Sequence, residues 1–298
     1  RKTMLIFEKL SEQERMTDVE KTIADYFLNI GHVIKDKSSR MIAAELYVHP
    51  SSISRFCQLI GYTGFNHFKE VYLKELDYLD SNFSNINPNR PFLPQDRDKV
   101  LGNKMATLYK ETVEDTVSLM HHDSIQKATR MLLEAETIVI SAAGDFLELA
   151  NTFRNRMLKI GKNVIVENRV DNFFFQAAYA NKKQCFILLS YSGEVETLLL
   201  VAQKLAALQI PFMSITSYGE NRLANYSPLT LHLSTREKLV DTLGNFSSMI
   251  SLSLLLDTLY SGVFSENYEE NYRNKRKVTH EFERKRRSTN PLLNDSKE

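Results

Sequence analysis

"FILLSYSGEVETLLL", residues 186–200, decides how the larger part of this chain reads. An apolar run, Phe186-Ile187-Leu188-Leu189, ends in Ser190-Tyr191-Ser192-Gly193, and a helical apolar spacing follows at once. A short continuous apolar run bounded by turn residues fits a strand buried on both faces. The hydroxyls and the glycine then fall where a strand hands over to a helix. There the first N–H groups lack intrahelical partners and the helix dipole favours negative charge. The stretch predicts a helix over 194–208 with an anion cradle at its start. The alternative is that Ser-x-Ser-Gly only caps the helix.

The same alternation continues on either side. "TIVISAAG" (137–144), "NVIVE" (163–167), "FMSIT" (212–216) and "LTLHL" (229–233) read as further strands, with "CFILLS" (185–190) among them. "FLELANTFRNRMLKI" (146–160) reads as an amphipathic helix with Leu147, Ala150, Phe153, Met157 and Leu158 on one face, and 243–261 as another helix. Strands alternating with helices predict an α/β domain, a parallel sheet flanked by helices, over 121–262. Its ligand edge is the carboxyl end of the strands.

The N-terminal part is different: residues 3–75 read as helix throughout. Val19, Ile23, Tyr26, Phe27 and Ile30 follow the helical period, Thr17 or Asp18 can cap that helix, and Gly31 ends it. Shorter helices are expected at 39–46, 50–60 and 65–78, giving an all-α domain over 1–80. Positions 81–95, "SNFSNINPNRPFLPQ", are rich in proline and asparagine and show no period, so they read as linker. Helices follow at 97–120 and 123–134, which puts linker and connecting helix at 81–120. The last segment, 263–298, is crowded with Lys and Arg; it reads as a solvated helix or tail, or as an accessory contact to DNA or a neighbouring subunit.

With 298 residues the chain has room for two domains. A formal net charge of +1 names no partner by itself, so any nucleic-acid reading must rest on a motif. Cys57 and Cys185 lie inside apolar patterns and read as small buried hydrophobes of a reducing cytoplasm. No segment approaches eighteen uninterrupted apolar residues, so no membrane span is expected.

That motif lies at 38–65, "SSRMIAAELYVHPSSISRFCQLIGYTGF". Ile42, Ala43 and Leu46 form the inner face of one helix, Val48 lies in a turn, and Pro50 suits the first position of the next helix. Ile53, Phe56, Cys57 and Ile60 repeat at helical spacing and bury one face. The opposite face carries Ser51, Ser52, Ser54, Arg55 and Gln58 near the helix start, where a recognition helix meets base edges and phosphates. Arg40 and Lys69 add to a local basic surplus. The plainer reading is a helical bundle whose polar face is merely solvated.

"VHPSSISRFCQLIGYTGFNHFKE" resembles the N-terminal domain of the RpiR family of bacterial transcriptional regulators, through Val48, Ser52, Ile53, Arg55, Phe56, Ile60, Gly61, Tyr62, Gly64 and Phe65. His49 stands where that family usually has a serine cap. Tyr47 fills a turn position where glycine is frequent, so the turn is expected to be built differently. Residues 137–261 resemble a SIS domain, a phosphosugar-binding fold, with Ser190-Tyr191-Ser192-Gly193-Glu194 matching its Ser-x-Ser-Gly-x-Thr loop. The resemblance implies operator DNA and a sugar-phosphate effector as partners, a homodimer or homotetramer, and no cofactor. It places ligand contacts at Gly144, Ser190, Tyr191, Ser192, Gly193, Glu194 and Val195.

The departures bear on that pocket. Val195 replaces the loop threonine, and Ala142-Ala143-Gly144-Asp145-Phe146 stands where Gly-x-Gly-x-Ser is usual. Each hydrogen bond to a charged group is worth about 1.5–3 kcal/mol, so two missing donors weaken phosphate binding unless compensated. The pocket then holds a sugar phosphate through its remaining groups, holds another ligand, or only dimerises. A sugar-phosphate isomerase is the rival class, with Glu194 or Glu196 as base, yet both fall in a first helical turn, where a carboxylate complements the dipole. No metal-ligand spacing or nucleotide fingerprint is present.

Overall fold

The computed structural model describes residues 6–11, 13–81, 86–283 and 286–294. The first five residues and Glu12 of the expected helical domain, positions 82–85 of the expected linker, and 284–285 and 295–298 of the expected tail lie outside the described residues.

The N-terminal unit contains α1 (Ile6–Ser11), α2 (Asp18–Ile30), a 3-10 turn (Gly31–Asp36), α3 (Ser39–Glu45), α4 (Pro50–Leu59) and α5 (Phe65–Ser81). Between the two expected caps of α2, Thr17 serves. Its side chain accepts from Glu20 N while the Glu20 carboxylate accepts from Thr17 N, a reciprocal capping box. Gly31 ends α2 with φ 56°. The core centres on Phe27, whose ring lies 4.6 Å from Phe68 and 6.1 Å from Phe56. Tyr72 Oη donates to Phe27 O at 2.5 Å, which ties α5 to the end of α2.

The expected linker is docked along its described part. Asn89 Nδ2 donates to Arg236 O at 3.1 Å, and Leu243 N donates to Asn89 O at 3.0 Å. Arg90 pairs with Asp241 at 2.7 Å, and Phe92 stacks edge-on against Phe246. This segment adheres to the larger domain before α6 (Asp98–Leu119) and α7 (His122–Glu134) begin.

The larger domain is a five-stranded sheet in the order β2-β1-β3-β4-β5, every pair parallel. Its strands are β1 (Thr137–Ala142), β2 (Asn163–Val166), β3 (Gln184–Ser190), β4 (Phe212–Ser217) and β5 (Thr230–Leu233). Alternate side chains feed two cores, as the strand period of two requires. Ile138, Ile140, Ile187, Leu189, Met213 and Ile215 face α7, α8 (Phe146–Leu158) and α12 (Phe246–Glu266). Val139, Phe186, Leu188 and Phe212 face α9 (Val170–Ala178), α10 (Glu196–Ala207) and α11 (Arg222–Tyr226).

Two details differ from the sequence reading. Helix α10 starts at Glu196, two residues after the expected 194, because Gly193 turns with φ 66° and leaves residues 191–195 as a loop. Leu158 is exposed, outside the stripe whose neighbour Met157 is fully buried in the core. The polar C-terminal segment forms α13 (Tyr268–Phe282), a helix with no buried residue, in line with the solvated helix expected there. Helix α12 is long and apolar enough to cross a membrane by length and composition, but here it packs on α6, α7 and α8.

Candidate functional site

Two surfaces carry the residues singled out above. The first is α4. Its inner face buries Ile53, Phe56 and Cys57, with Ile60 half-buried after it, and burial pushes the Cys57 thiol up to about 12. Ser51, Arg55 and Gln58 are exposed on the other side, with Ser52 and Ser54 half-exposed. Arg55 has no hydrogen-bond or ion-pair partner among the described residues, so its guanidinium is available to a ligand. His49 caps the helix in place of a serine: its Nδ1 accepts from Ser51 N at 3.3 Å and lies 2.8 Å from Ser51 Oγ.

The turn before α4 corrects an expectation. Tyr47 does adopt the left-handed conformation, at φ 54°, and is 97% exposed. Val48 N donates to Ala43 O at 2.9 Å and Tyr47 N to Ala44 O at 3.4 Å, the paired bonds of a helix ending in a left-handed residue. The turn is therefore built in the usual way, with tyrosine where glycine costs least. Of the local cations, Arg40 is exposed, whereas Lys37 pairs with Glu45. Lys69 Nζ donates to Lys35 O at 3.3 Å and Lys37 O at 3.1 Å, so its ammonium closes the 3-10 turn.

The second surface is the carboxyl edge of the sheet. Ser190 ends β3, buried; Tyr191 and Ser192 are half-buried in the loop that follows. The two serine oxygens accept from the loop itself, Ser190 Oγ from Gly193 N and Ser192 Oγ from Glu194 N, both at 3.2 Å. No side chain caps α10 at Val195. The expected alternative, serines capping the helix, is thus replaced by serines bracing the loop. Gly193 is required twice over: its φ is positive, and a Cβ there would sit 2.1 Å from Asn221 Oδ1. Asn221 caps α11 through Ala224 N, and Leu223 N donates to Gly193 O at 3.0 Å, so the loops after β3 and β4 are locked together.

The remaining candidates at this edge have structural duties. Glu194 Oε1 accepts from Arg222 N at 3.1 Å, and Arg222 pairs with Glu196 at 2.9 Å. Gly144 turns with φ 63° in open space. Phe146 points into the core, 5% exposed, and Asp145 accepts from Asn245 at 3.2 Å.

Sequence reading missed Glu237. Its buried carboxylate accepts from Ser247 N at 2.8 Å, Ser248 N at 3.4 Å and Ser248 Oγ at 2.7 Å, capping α12 from a distant loop. Burial raises its pKa above the ordinary carboxylate value, against the opposing pull of those bonds. The pKa of His232, half-buried beside Tyr218, is lowered by desolvation. Only the serine-rich start of α12 hints at such a partner.

A cavity of about 100 Å³ opens beside Ser192. Its floor comes from the loops after β3, β4 and β5, including Tyr191, Ser192, Ser217 and Thr235. Its roof comes from the helical unit, through Lys9, Tyr62, Val71 and Glu75. Lys9 Nζ donates to Tyr62 Oη at 3.1 Å; burial lowers its pKa, opposed by Glu220 and Glu75. Among the described residues no His, Cys, Asp and Glu group is arranged to hold a metal ion.

Comparison with known proteins matches the two domains that carry these surfaces. The family profile described as "Helix-turn-helix domain, rpiR family" matches residues 4–77, and that described as "SIS domain" matches 131–261. A Clostridium perfringens protein described as an HTH-type transcriptional regulator is 25% identical over 296 residues, 98% of this chain and 100% of that one. A Haemophilus influenzae protein of the same description is 27% identical over 180 residues, 60% of this chain and 62% of that one. The Vibrio vulnificus NanR protein complexed with ManNAc-6P has the same fold, with a TM-score of 0.60 at 20% identity over 92% of this chain and 97% of that one.

Proposed function

The chain belongs to the rpiR family of helix-turn-helix proteins with a SIS domain behind, and from that premise we propose that it binds operator DNA and regulates carbohydrate genes in response to a phosphorylated sugar. The observation that carries the DNA half is α4. One face is fixed in the core while Ser51, Arg55 and Gln58 stand outward around an unpartnered guanidinium. Ser52, Ser54 and Arg40 extend that face, and Lys69 contributes charge from behind it. A single such module reads few bases, so the regulator acts as a dimer or larger assembly.

The effector half rests on the carboxyl edge of a parallel sheet, where this class of fold takes its ligands. The loop at 190–195 and Gly144 face that edge, and the ManNAc-6P bound to NanR supports a sugar phosphate as the class. The carboxylates Glu194 and Glu196 are engaged with Arg222, which supports a sensor over an isomerase. A second reading has a specific observation behind it. The oxygens of Ser190 and Ser192 are engaged by their own loop, and Val195 offers no hydroxyl, which favours a domain that only assembles the dimer.

Operator fragments from upstream of the gene, titrated with and without hexose 6-phosphates at millimolar concentration, test the proposal. One compound is expected to shift DNA affinity, and Arg55→Ala to weaken binding by about 1–3 kcal/mol, the worth of a bidentate base contact. DNA binding indifferent to every compound supports the assembly-only reading. Unchanged affinity in Arg55→Ala removes Arg55 from the interface.

A further inference from the structure

The cavity beside Ser192 has walls from two bodies that do not share a core. The helical unit's cluster runs from Ile6 to Leu76, and the two clusters of the sheet domain contain none of its residues. A polar contact crosses the seam beside Val71 and Leu239, which also line it. His67 Nε2 lies 4.0 Å from Glu220 Oε1, and Glu220 also acts electrostatically on Lys9. Two bodies that keep separate cores and meet around a cavity separate more easily than one continuous core, so their closure depends on what fills the cavity.

The lining is chemically suited to a polyol. From the roof Lys9 brings donor protons and Tyr62, 5% exposed, holds the ammonium in place through its hydroxyl and ring face; Glu220 brings acceptor oxygens from the floor side, and Glu75, one of whose oxygens accepts from Ile6 N at 2.8 Å, adds negative charge. Sugar hydroxyls both donate and accept, so they satisfy a lysine and carboxylates at once. A phosphate among those carboxylates would be repelled, which leaves the anionic end to the loop at 190–195. A cavity of about 100 Å³ has room for about three waters at roughly 30 Å³ each, enough for the terminal hydroxyl groups of a sugar whose remainder and phosphate lie outside.

We propose that the DNA-binding unit forms one wall of the effector pocket, with Lys9 and Tyr62 holding the sugar end of a phosphorylated sugar whose phosphate lies at the Ser192 loop. The inference rests on the effector reading above and adds the route of control. A ligand held by both bodies stabilises the docked arrangement over the open one, by its differential affinity for the two. Docking fixes the position of each α4 relative to its own sheet domain. In a dimer it therefore fixes the spacing of the two recognition helices, and with it operator affinity.

The test is calorimetric titration of the full chain with glucose 6-phosphate, fructose 6-phosphate and N-acetylmannosamine 6-phosphate. Wild type, Lys9→Met, Tyr62→Phe and Ser192→Ala are compared, and thermal melts confirm folding. Amide exchange of wild type is followed with and without the tightest binder. The dissociation constant is expected to rise about ten-fold or more in Lys9→Met, as for a lost charged hydrogen bond, and measurably in Tyr62→Phe. Ligand is expected to slow exchange at 60–64 and at 217–220 together. Should Ser192→Ala lose binding while Lys9→Met and Tyr62→Phe keep it, with protection only at 190–220, the wall is overturned and the sensor reading stands. If no sugar phosphate binds wild type, the sensor reading falls and the wall falls with it. If Lys9→Met does not fold, Tyr62→Phe and the exchange data decide.

Discussion

Tyr47 shows how a single residue can satisfy topology at a local cost. A non-glycine side chain in the left-handed region costs roughly 1 kcal/mol, and an exposed tyrosine recovers nothing by burial. Tyr47→Gly is therefore expected to raise the melting temperature of the helical unit by roughly 4 °C, the scale for a domain of this size. A lower melting temperature would show that the tyrosine ring stabilises the turn. The departures that looked damaging in the sequence resolve differently at this scale. His49 replaces a serine cap because an imidazole nitrogen also accepts from a backbone amide. Phe146 was legible as bulky but not as core, because its direction depends on where α8 meets the sheet.

At the scale of elements, the capping of α12 is the instructive case. The N-terminal amides of this helix are met by Glu237, a carboxylate reached through a loop rather than from the helix's own start. Burial makes the proton-bound form more favourable in the fold than in the unfolded chain. The native state therefore binds more protons at and above the ordinary carboxylate range, and this group's contribution to stability falls as pH rises from about 4.5 upward. Glu237→Gln, which imitates the protonated form, is expected to gain stability relative to wild type as pH rises from about 5 to about 7.5. A gap in melting temperature that does not change with pH would show that Glu237 does not titrate in that window. The start of α10 makes the complementary point. Sequence spacing placed it at 194, but the demand for a left-handed Gly193 against Asn221 delays it to 196.

The whole molecule has two bodies with separate cores and a cavity between them, which sets its thermodynamics. Two-state unfolding is not expected of such a chain. Calorimetry should resolve more than one transition. Phe27→Ala, removing the ring at the centre of the helical core, should cost about 3–5 kcal/mol and lower one transition while leaving the other in place. A single transition that moves as a unit would show that the seam couples the bodies strongly. The docked segment at 86–97 belongs to this scale too. Its prolines and asparagines read as tether, yet Asn89 and Arg90 fasten it to the loop at 236–243, with which it shares no local sequence signal.

The sequence alone determined what depends on neighbours along the chain. Apolar runs and helical periods specify which segments are strands or helices, and the order of those elements implies a parallel sheet behind a helical unit. The placement of α4 with a buried and a polar face follows from the same periodicity. The tertiary structure decided everything that depends on residues distant in sequence. It brought Glu237 to α12, Asn221 to Gly193, and Lys9 with Tyr62 over Ser192, because packing and charge burial act through space and leave no mark at a fixed spacing.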